Sequence, residues 1–179
     1  VGMKRPDGSP WWPADLHLMG KDIITTHAVY WPTFLMSAGL PLPQTILAHG
    51  WWLIADTKMG KSLGNVVKPI EMADKYGHDA FRYFLMRDMV LGAESNFSEE
   101  ALVGRINSDL ANDLGNCLNR VERMVQTNFA SIMPAPAEEG DAERRLAGIG
   151  RATAEAVPGL IGQLKLHAAI EETQQMVRA

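Results

Sequence analysis

Apolar positions follow two regimes along this chain of 179 residues. Up to about residue 56 they come as short runs punctuated by glycine and proline, and from about residue 98 they recur at helical spacing. Residues 15–23, Asp-Leu-His-Leu-Met-Gly-Lys-Asp-Ile, read as a short buried strand, a glycine turn and the start of a helix. Asp22 falls where a first-turn carboxylate is favoured by the helix dipole. The helical pattern runs to about Ala38, with Ile23, His27, Tyr30, Trp31 and Phe34 on one face. Pro32 is a candidate kink, and Pro41 and Pro43 end the segment. Residues 45–48 read as a second buried strand that closes at His49-Gly50. Strand, helix, strand in this order is one parallel crossover of a Rossmann-type sheet, where ligands bind at the carboxyl ends of the strands. Those ends carry Gly20-Lys21-Asp22 and His49-Gly50.

The rest of the chain reads as helical. Residues 1–10 form an irregular polar lead-in, and residues 57–69 a loop. Short helices are expected at 70–76 and 79–87. Ser98 followed by Glu99 and Glu100 signals the start of a long helix that runs to about Gln126. Its core stripe is Leu102, Ile106, Leu110, Leu114, Leu118, Val121 and Val125. Asn112, Asn116 and Arg120 recur every fourth residue on another face, about 200° from Leu110 and Leu114. Amides and a guanidinium on such a face can read unpaired bases, and they can equally be the wet side of an amphipathic helix. Met133-Pro134-Ala135-Pro136-Ala137, with the acidic residues up to Asp141, is a linker. Further helices are expected at 142–157 and from 164 onward, broken or kinked at Pro158-Gly159. The fold class is therefore α/β followed by all-α, in units 1–66, 67–97 and 98–179.

Composition narrows the function. A hydrophobic content of 46% is that of an ordinary soluble protein, and a net charge of −4 carries no basic-protein signature. RNA binding would rest on local patches. The single Cys117 forms no internal disulfide, suits a reducing cytoplasm, and cannot build a zinc knuckle. No signal segment and no apolar run of membrane-spanning length is present in the sequence, so no membrane partner is expected.

The chemistry concentrates in Lys58-Met59-Gly60-Lys61-Ser62-Leu63-Gly64-Asn65. Two lysines three apart in a glycine-containing loop suit a polyphosphate. A nucleotide-binding P-loop would need glycine where Ala55 stands, and a helix opening at Ser62. Leu63-Gly64-Asn65-Val66-Val67-Lys68-Pro69 is a poor helix. The alternative is the signature loop of class I aminoacyl-tRNA synthetases, usually Lys-Met-Ser-Lys-Ser. Taken alone, the octapeptide also leaves a solvated surface loop open.

The surrounding residues bear on this choice. Trp12-Pro13-Ala14-Asp15-Leu16-His17-Leu18-Met19-Gly20-Lys21-Asp22-Ile23, His27, Tyr30-Trp31-Pro32, Gly39-Leu40-Pro41-Leu42-Pro43, His49-Gly50 and the lysine loop resemble the methionyl-tRNA synthetases. So do Tyr76-Gly77-His78-Asp79-Ala80, Arg82-Tyr83-Phe84-Leu85 and Asn107-x-Asp109-Leu110-Ala111-Asn112. The likeness covers roughly residues 10–130. It implies the C-terminal half of the nucleotide-binding domain, a stem-contact region and an anticodon-binding helix bundle. It implies methionine–tRNA ligase activity, with methionine, ATP carrying Mg2+, and tRNA(Met) as partners. By resemblance Lys58 and Lys61 are catalytic, and Gly20, Asp22, His49, Gly50, Trp52, Lys58, Lys61 and Ser62 bind ATP. Ile23 and His27 wall the methionine pocket, although a lone histidine on an apolar face can also be a core residue. Asn112, Asn116 and Arg120 contact the anticodon.

Two departures stand out. Gly60 replaces the usual serine of the signature loop. The His-x-Gly-His element that grips ATP in this class is absent, as is the metal-bearing insertion between the sheet halves. The expectation is a C-terminal portion that works with a missing N-terminal half and holds no metal site of its own. A synthetase for leucine, isoleucine or valine, and a non-catalytic tRNA-binding module, are the alternatives.

Overall fold

The computed structural model describes residues 4–179. The first three residues of the expected lead-in lie outside them. Lys4 and Pro10 bridge antiparallel, and Asp7 accepts from the Ser9 amide and hydroxyl.

The expected crossover is present. Strand β1 (Leu16–Gly20) runs parallel to β2 (Thr45–His49), in register from Leu16 opposite Thr45 to Gly20 opposite His49. A 3-10 turn (Lys21–Ile23), a π-helical turn (Thr26–Tyr30) and helix α1 (Trp31–Ser37) connect them. The strands are less buried than expected. Met19 is covered while its neighbour Leu18 is exposed, so β1 has one covered face, as the period of two dictates. β2 is at most half-buried. In the connecting helix the expected apolar face is largely open: Ile23, Tyr30 and Phe34 are exposed, and the buried residue is Leu35. The π-helical turn shifts the faces of α1 relative to those of a continuous α-helix. Pro32 sits in the first turn of α1, where its missing amide costs little.

A second sheet takes the order β4-β3-β5. β3 (Trp52–Ile54) and β4 (Thr57–Lys58) form a hairpin whose two turn residues, Ala55 (φ 47°) and Asp56 (φ 58°), both take the left-handed conformation of a tight hairpin turn. β5 (Ser95–Asn96) pairs parallel with β3, and the Asn96 side chain pins the turn by donating to Asp56 Oδ1 at 2.7 Å and accepting from its amide at 3.0 Å. Lys58 therefore stands on a strand and not in a free loop.

Helices α2 (Pro69–Tyr76), α3 (His78–Asp88) and α4 (Glu99–Arg105) pack over this sheet. Ala73, Phe81, Phe84, Phe97 and Leu102 form the core, with Trp52, Met59 and Val67 against it. The core and the β3–β5 pairing thus join both sides of the boundary expected at residue 66.

Ser98 caps α4 as expected, its hydroxyl accepting from the Ala101 amide at 3.0 Å. The helix continues as a π-helical segment (Ile106–Gly115) and as α5 (Asn116–Phe129). The predicted core stripe holds at its start and is half-buried again at Val125, but it is open in between. Leu102 is fully buried, Ile106 and Leu110 half-buried, but Leu114 and Val121 are exposed and Leu118 is 66% exposed. Residues 132–140 carry no regular secondary structure, as the linker reading expects. Helix α6 (Asp141–Gly162) continues through Pro158, so of the expected break or kink the break does not occur. The turn comes at Leu164 (φ 61°), where Lys165 donates to Leu160 O and Leu164 to Ile161 O, a Schellman closure. Helix α7 (Leu166–Arg178) packs against α3 and α6.

Candidate functional site

The carboxyl ends of β1 and β2 bring together Gly20, Asp22, His49, Gly50 and Lys58. Gly20 and His49 are register partners. A Cβ built on Gly20 would sit 3.7 Å from Asp22 Oδ2 and 3.9 Å from His49 Cε1, so the three line one edge. Gly50 is required by packing, because a Cβ there would fall 2.0 Å from the Ala93 carbonyl oxygen. His49 Nδ1 donates to Gly50 O at 2.7 Å, since a carbonyl can only accept, and this leaves Nε2 free.

Asp22 is the hub. Its Oδ1 accepts from Lys58 Nζ at 2.7 Å and from Trp51 Nε1 at 2.7 Å. It makes no capping bond to the helix start. The Lys58 hydrogen bond holds the carboxyl below its ordinary range against a smaller opposing effect of desolvation, with the Trp51 N–H and the Lys21 charge assisting. Lys21 and Lys58 place their ammonium groups 4.0 and 4.3 Å from the Trp51 ring centroid. Lys21 also pairs with Glu94.

Trp52, singled out from the sequence for ATP, turns its ring into the core, 5.8 Å from Phe84. Trp51 is the tryptophan that meets Asp22, and sequence reasoning missed it. Neighbouring residues at a strand point to opposite faces, so a Trp-Trp pair beside a strand-ending His-Gly was the available signal.

Downstream of Lys58, Asn65 closes the loop by accepting from the Gly60 amide at 2.8 Å and donating to Lys58 O at 3.3 Å. Lys61 and Ser62 fall in a 3-10 turn (Lys61–Leu63), and the Lys61 side chain lies outside the described residues. No α-helix opens at Ser62, in keeping with the rejection of a P-loop.

His27 Nδ1 donates to Ile23 O at 3.0 Å. Its ring stands edge-on to His17 at 6.1 Å, and His17 continues to Trp12 at 5.9 Å and Trp12 to Trp31 at 5.8 Å. His27 is partly exposed, not a fully buried core residue.

Asn112, Asn116 and Arg120 line one groove of about 440 Å3, together with Asp113, Cys117 and Arg178 of α7. Arg178 Nε donates to Asp113 at 2.6 Å. Behind the groove lies a cluster the sequence did not disclose. Asp109 is 1% exposed and accepts from Tyr83 Oη at 2.8 Å and Ser108 Oγ at 2.7 Å. Arg105 and Arg178 approach it at 3.5 Å each and Arg87 at 3.6 Å. Burial pushes the Asp109 carboxyl up, but these hydrogen bonds and the Arg105 and Arg87 charges leave it below its ordinary value. Burial first, and then the Asp109 carboxylate, push the Tyr83 phenol up to about 12. Among the described residues no group of three or more His, Cys, Asp or Glu side chains is arranged to hold a metal ion, and no helix is long and apolar enough to cross a membrane.

Known proteins resemble this chain in sequence and fold. A family model described as tRNA synthetases class I (M) matches residues 5–122. The chain belongs to that family. The methionine–tRNA ligase of Caldanaerobacter subterraneus subsp. tengcongensis is 44% identical over 167 residues, 93% of this chain and 26% of that protein. The ligase of Mycobacterium tuberculosis is 47% identical over 161 residues, 90% of this chain and 31% of that protein. The crystal structure of Mycobacterium tuberculosis methionyl-tRNA synthetase bound by methionyl-adenylate superposes with a TM-score of 0.87, at 46% identity, over 93% of this chain and 33% of that one. This class I synthetase chain thus spans about a quarter to a third of the length of the relatives it matches.

Proposed function

We propose that this chain contributes the C-terminal part of the catalytic site, and the first tRNA-binding helices, of a methionine–tRNA ligase acting in the cytoplasm. The observation that carries the reading is the convergence of Gly20, Asp22, His49, Gly50 and Lys58 at the carboxyl ends of two parallel strands, in a chain of the M-type class I family. In the reaction the methionine carboxylate attacks the α-phosphate of MgATP and releases pyrophosphate. The adenylate then esterifies the 3′ end of tRNA(Met). The chain offers no covalent nucleophile, so its residues act by positioning and by stabilising charge. Lys58 and Lys61 serve as phosphate cations, with Ser62 as a further donor. Asp22 accepts from the ribose, and Gly20, His49 and Gly50 shape the nucleotide edge. Trp52 supports that edge from the core side. Ile23 and His27 wall the methionine side chain, whose thioether takes soft apolar contact. Asn112, Asn116 and Arg120 read the anticodon. In functional terms residues 1–66 serve catalysis, 67–97 stem contact and 98–179 anticodon binding. Mg2+ arrives with ATP, and the other sheet half comes from the rest of the protein.

The test is amino-acid-dependent exchange of pyrophosphate into ATP by the full-length protein. Methionine is expected to support exchange, and leucine, isoleucine and valine are not. Lys61→Ala should slow it roughly 10²–10³-fold, the scale of one lost transition-state donor, with methionine affinity at equilibrium unchanged. Exchange driven by a branched amino acid instead of methionine would replace the substrate. No exchange with any of the four would leave a tRNA-binding module.

A further inference from the structure

We propose that Trp51 is a positioning residue that orients Asp22 and perches Lys21 and Lys58 beside the nucleotide site. The inference rests on the function proposed above. Asp22 spends a single oxygen, Oδ1, on both Trp51 Nε1 and Lys58 Nζ, each at 2.7 Å. The other oxygen, Oδ2, makes no hydrogen bond among the described residues and lies on the Gly20 edge, where it can meet a ribose hydroxyl. Lys58 cannot stay on Asp22 if it is to reach phosphate. When it leaves, the Trp51 N–H still occupies Oδ1, so the carboxylate keeps its orientation and one partner. A carboxylate with no fixed donor would rotate freely and lose that directed oxygen.

The indole ring has a second task. It attracts both ammonium groups through its negative face, at 4.0 and 4.3 Å. Such an attraction has no fixed hydrogen-bond direction, so the cation can swing off it toward a phosphate. Each ammonium also has one carboxylate partner, Glu94 for Lys21 and Asp22 for Lys58, so both are held by one exposed ion pair and one indole face. The core anchors the perch from below: Trp52 is locked against Phe84, and the adjoining residue must then face the other way.

Two variants of the full-length protein separate these tasks. Trp51→Phe keeps an aromatic face and removes the N–H. Its KM for ATP should rise about three- to tenfold, the scale of one hydrogen bond to a charged group in a half-exposed site, with kcat held within about twofold. Trp51→Leu removes the face as well. Its kcat should fall a further two- to fivefold or so, as expected for losing an exposed cation–π contact. Methionine KM should not move in either. Both variants matching wild type, or both raising methionine KM as much as ATP KM, would remove Trp51 from this role. If Trp51→Leu fails to fold, the ATP KM of Trp51→Phe decides alone. A wild-type protein without methionine-dependent exchange overturns the proposed function and this inference together. Normal wild-type exchange with unaffected variants overturns this inference only.

Discussion

Two carboxylates organise the two halves of this molecule, and they do so in opposite environments. Asp22 gathers Trp51 and Lys58 at the open end of the parallel strands, with close to half of its side-chain surface in water. Asp109 gathers Tyr83, Ser108 and three arginines where almost no water reaches. The shortest bonds are of similar length, 2.7 Å at Asp22 and 2.7–2.8 Å from the two hydroxyls at Asp109, while the arginines stand 3.5–3.6 Å from Asp109. Solvent decides what they do. Water competes for the partners of Asp22, so an arriving ligand can exchange them at little cost, and an exposed ion pair of this type adds little stability. Asp109 itself is shut away from water, although its arginine partners are partly exposed and also pair with Asp88, Asp113 and Glu171, and the cluster ties α3, the π-helical segment and α7 together. Exchangeable contacts serve a site that must open and close around phosphates, and fixed ones hold the surface that Asn116 and Arg120 present.

Substitution of the two carboxylates breaks this comparison most sharply. Asp109→Ala should destabilise the protein by about 3–5 kcal/mol, the cost of breaking a buried pair from one side. Asp22→Ala should leave the thermal midpoint unchanged and raise the KM for ATP. Similar losses of midpoint in both would show that solvent does not distinguish them. The acid limb of stability should carry the same signature. The folded Asp109 carboxyl lies below its ordinary 3.8, so its contribution is present above that value and is lost as pH falls through the folded one. At the alkaline end Tyr83 works with the opposite sign. Its phenol is raised from 10.0 to about 12, so its contribution is intact below pH 10 and disappears as pH rises toward 12. Chemical denaturation across both ranges, with Tyr83→Phe as the control that removes the alkaline loss, checks both signs.

Within one helix the contrast recurs on a smaller scale. Leu102 and Leu118 occupy equivalent places in the apolar row of the sequence, yet Leu102→Ala should cost about 2–5 kcal/mol and Leu118→Ala no more than about 0.5. Equal costs would mean that the outer turns are covered in the folded protein.

The same row shows where sequence reasoning stops. Steps of four residues each overshoot a full α-helical turn by about 40°, so a row spaced in fours winds round the helix instead of staying on one face. A single buried face requires threes and fours mixed. The row is open from Leu114 to Val121 and half-buried again at Val125, and across Ile106–Gly115 the wider π-helical turn, with more than four residues per turn, changes its drift. Parallel pairing of β1 and β2, the Ser98 cap and the linker were legible, because local spacing and turn chemistry determine them. Placement of the Gly-Lys-Asp turn and His49-Gly50 near one another was legible through the crossover rule, whereas Lys58 was tied to them only through the resemblance. Trp51 was not, because it precedes β3 and its partner Asp22 lies 29 residues away in sequence. Asp109 was not, because its partners Tyr83, Arg87 and Arg178 come from helices far apart in sequence, and only packing brings them to one carboxylate. Pro158 misled for a related reason: it lies in the part of α6 that packs near α7, and a helix supported there survives one missing amide.

The smallest expected effect lies in the signature loop. Gly60 replaces the family's usual serine, and glycine at such a place can signal either a required backbone conformation or mere absence of a side chain. Gly50 is neither: close packing closes it to any side chain, since its Cβ would strike the Ala93 carbonyl at 2.0 Å. Gly60 belongs to the second. It does not adopt a positive φ, and a Cβ built there would stand 3.5 Å from Leu63 Cδ1 and 3.8 Å from Ser62 Oγ, which is ordinary contact. Its amide is already engaged by Asn65 Oδ1, a bond that serine would retain. Gly60→Ser should therefore shift the thermal midpoint by no more than the equivalent of about 0.5 kcal/mol and leave methionine-dependent exchange within about twofold, less than one neutral hydrogen bond is worth. Exchange is the sharper readout, because the loop must move. A tenfold or larger loss of kcat at unchanged midpoint would mean that the loop passes through a conformation only glycine allows, and the exchangeable half of the molecule would then be constrained in its backbone as well as in its charges.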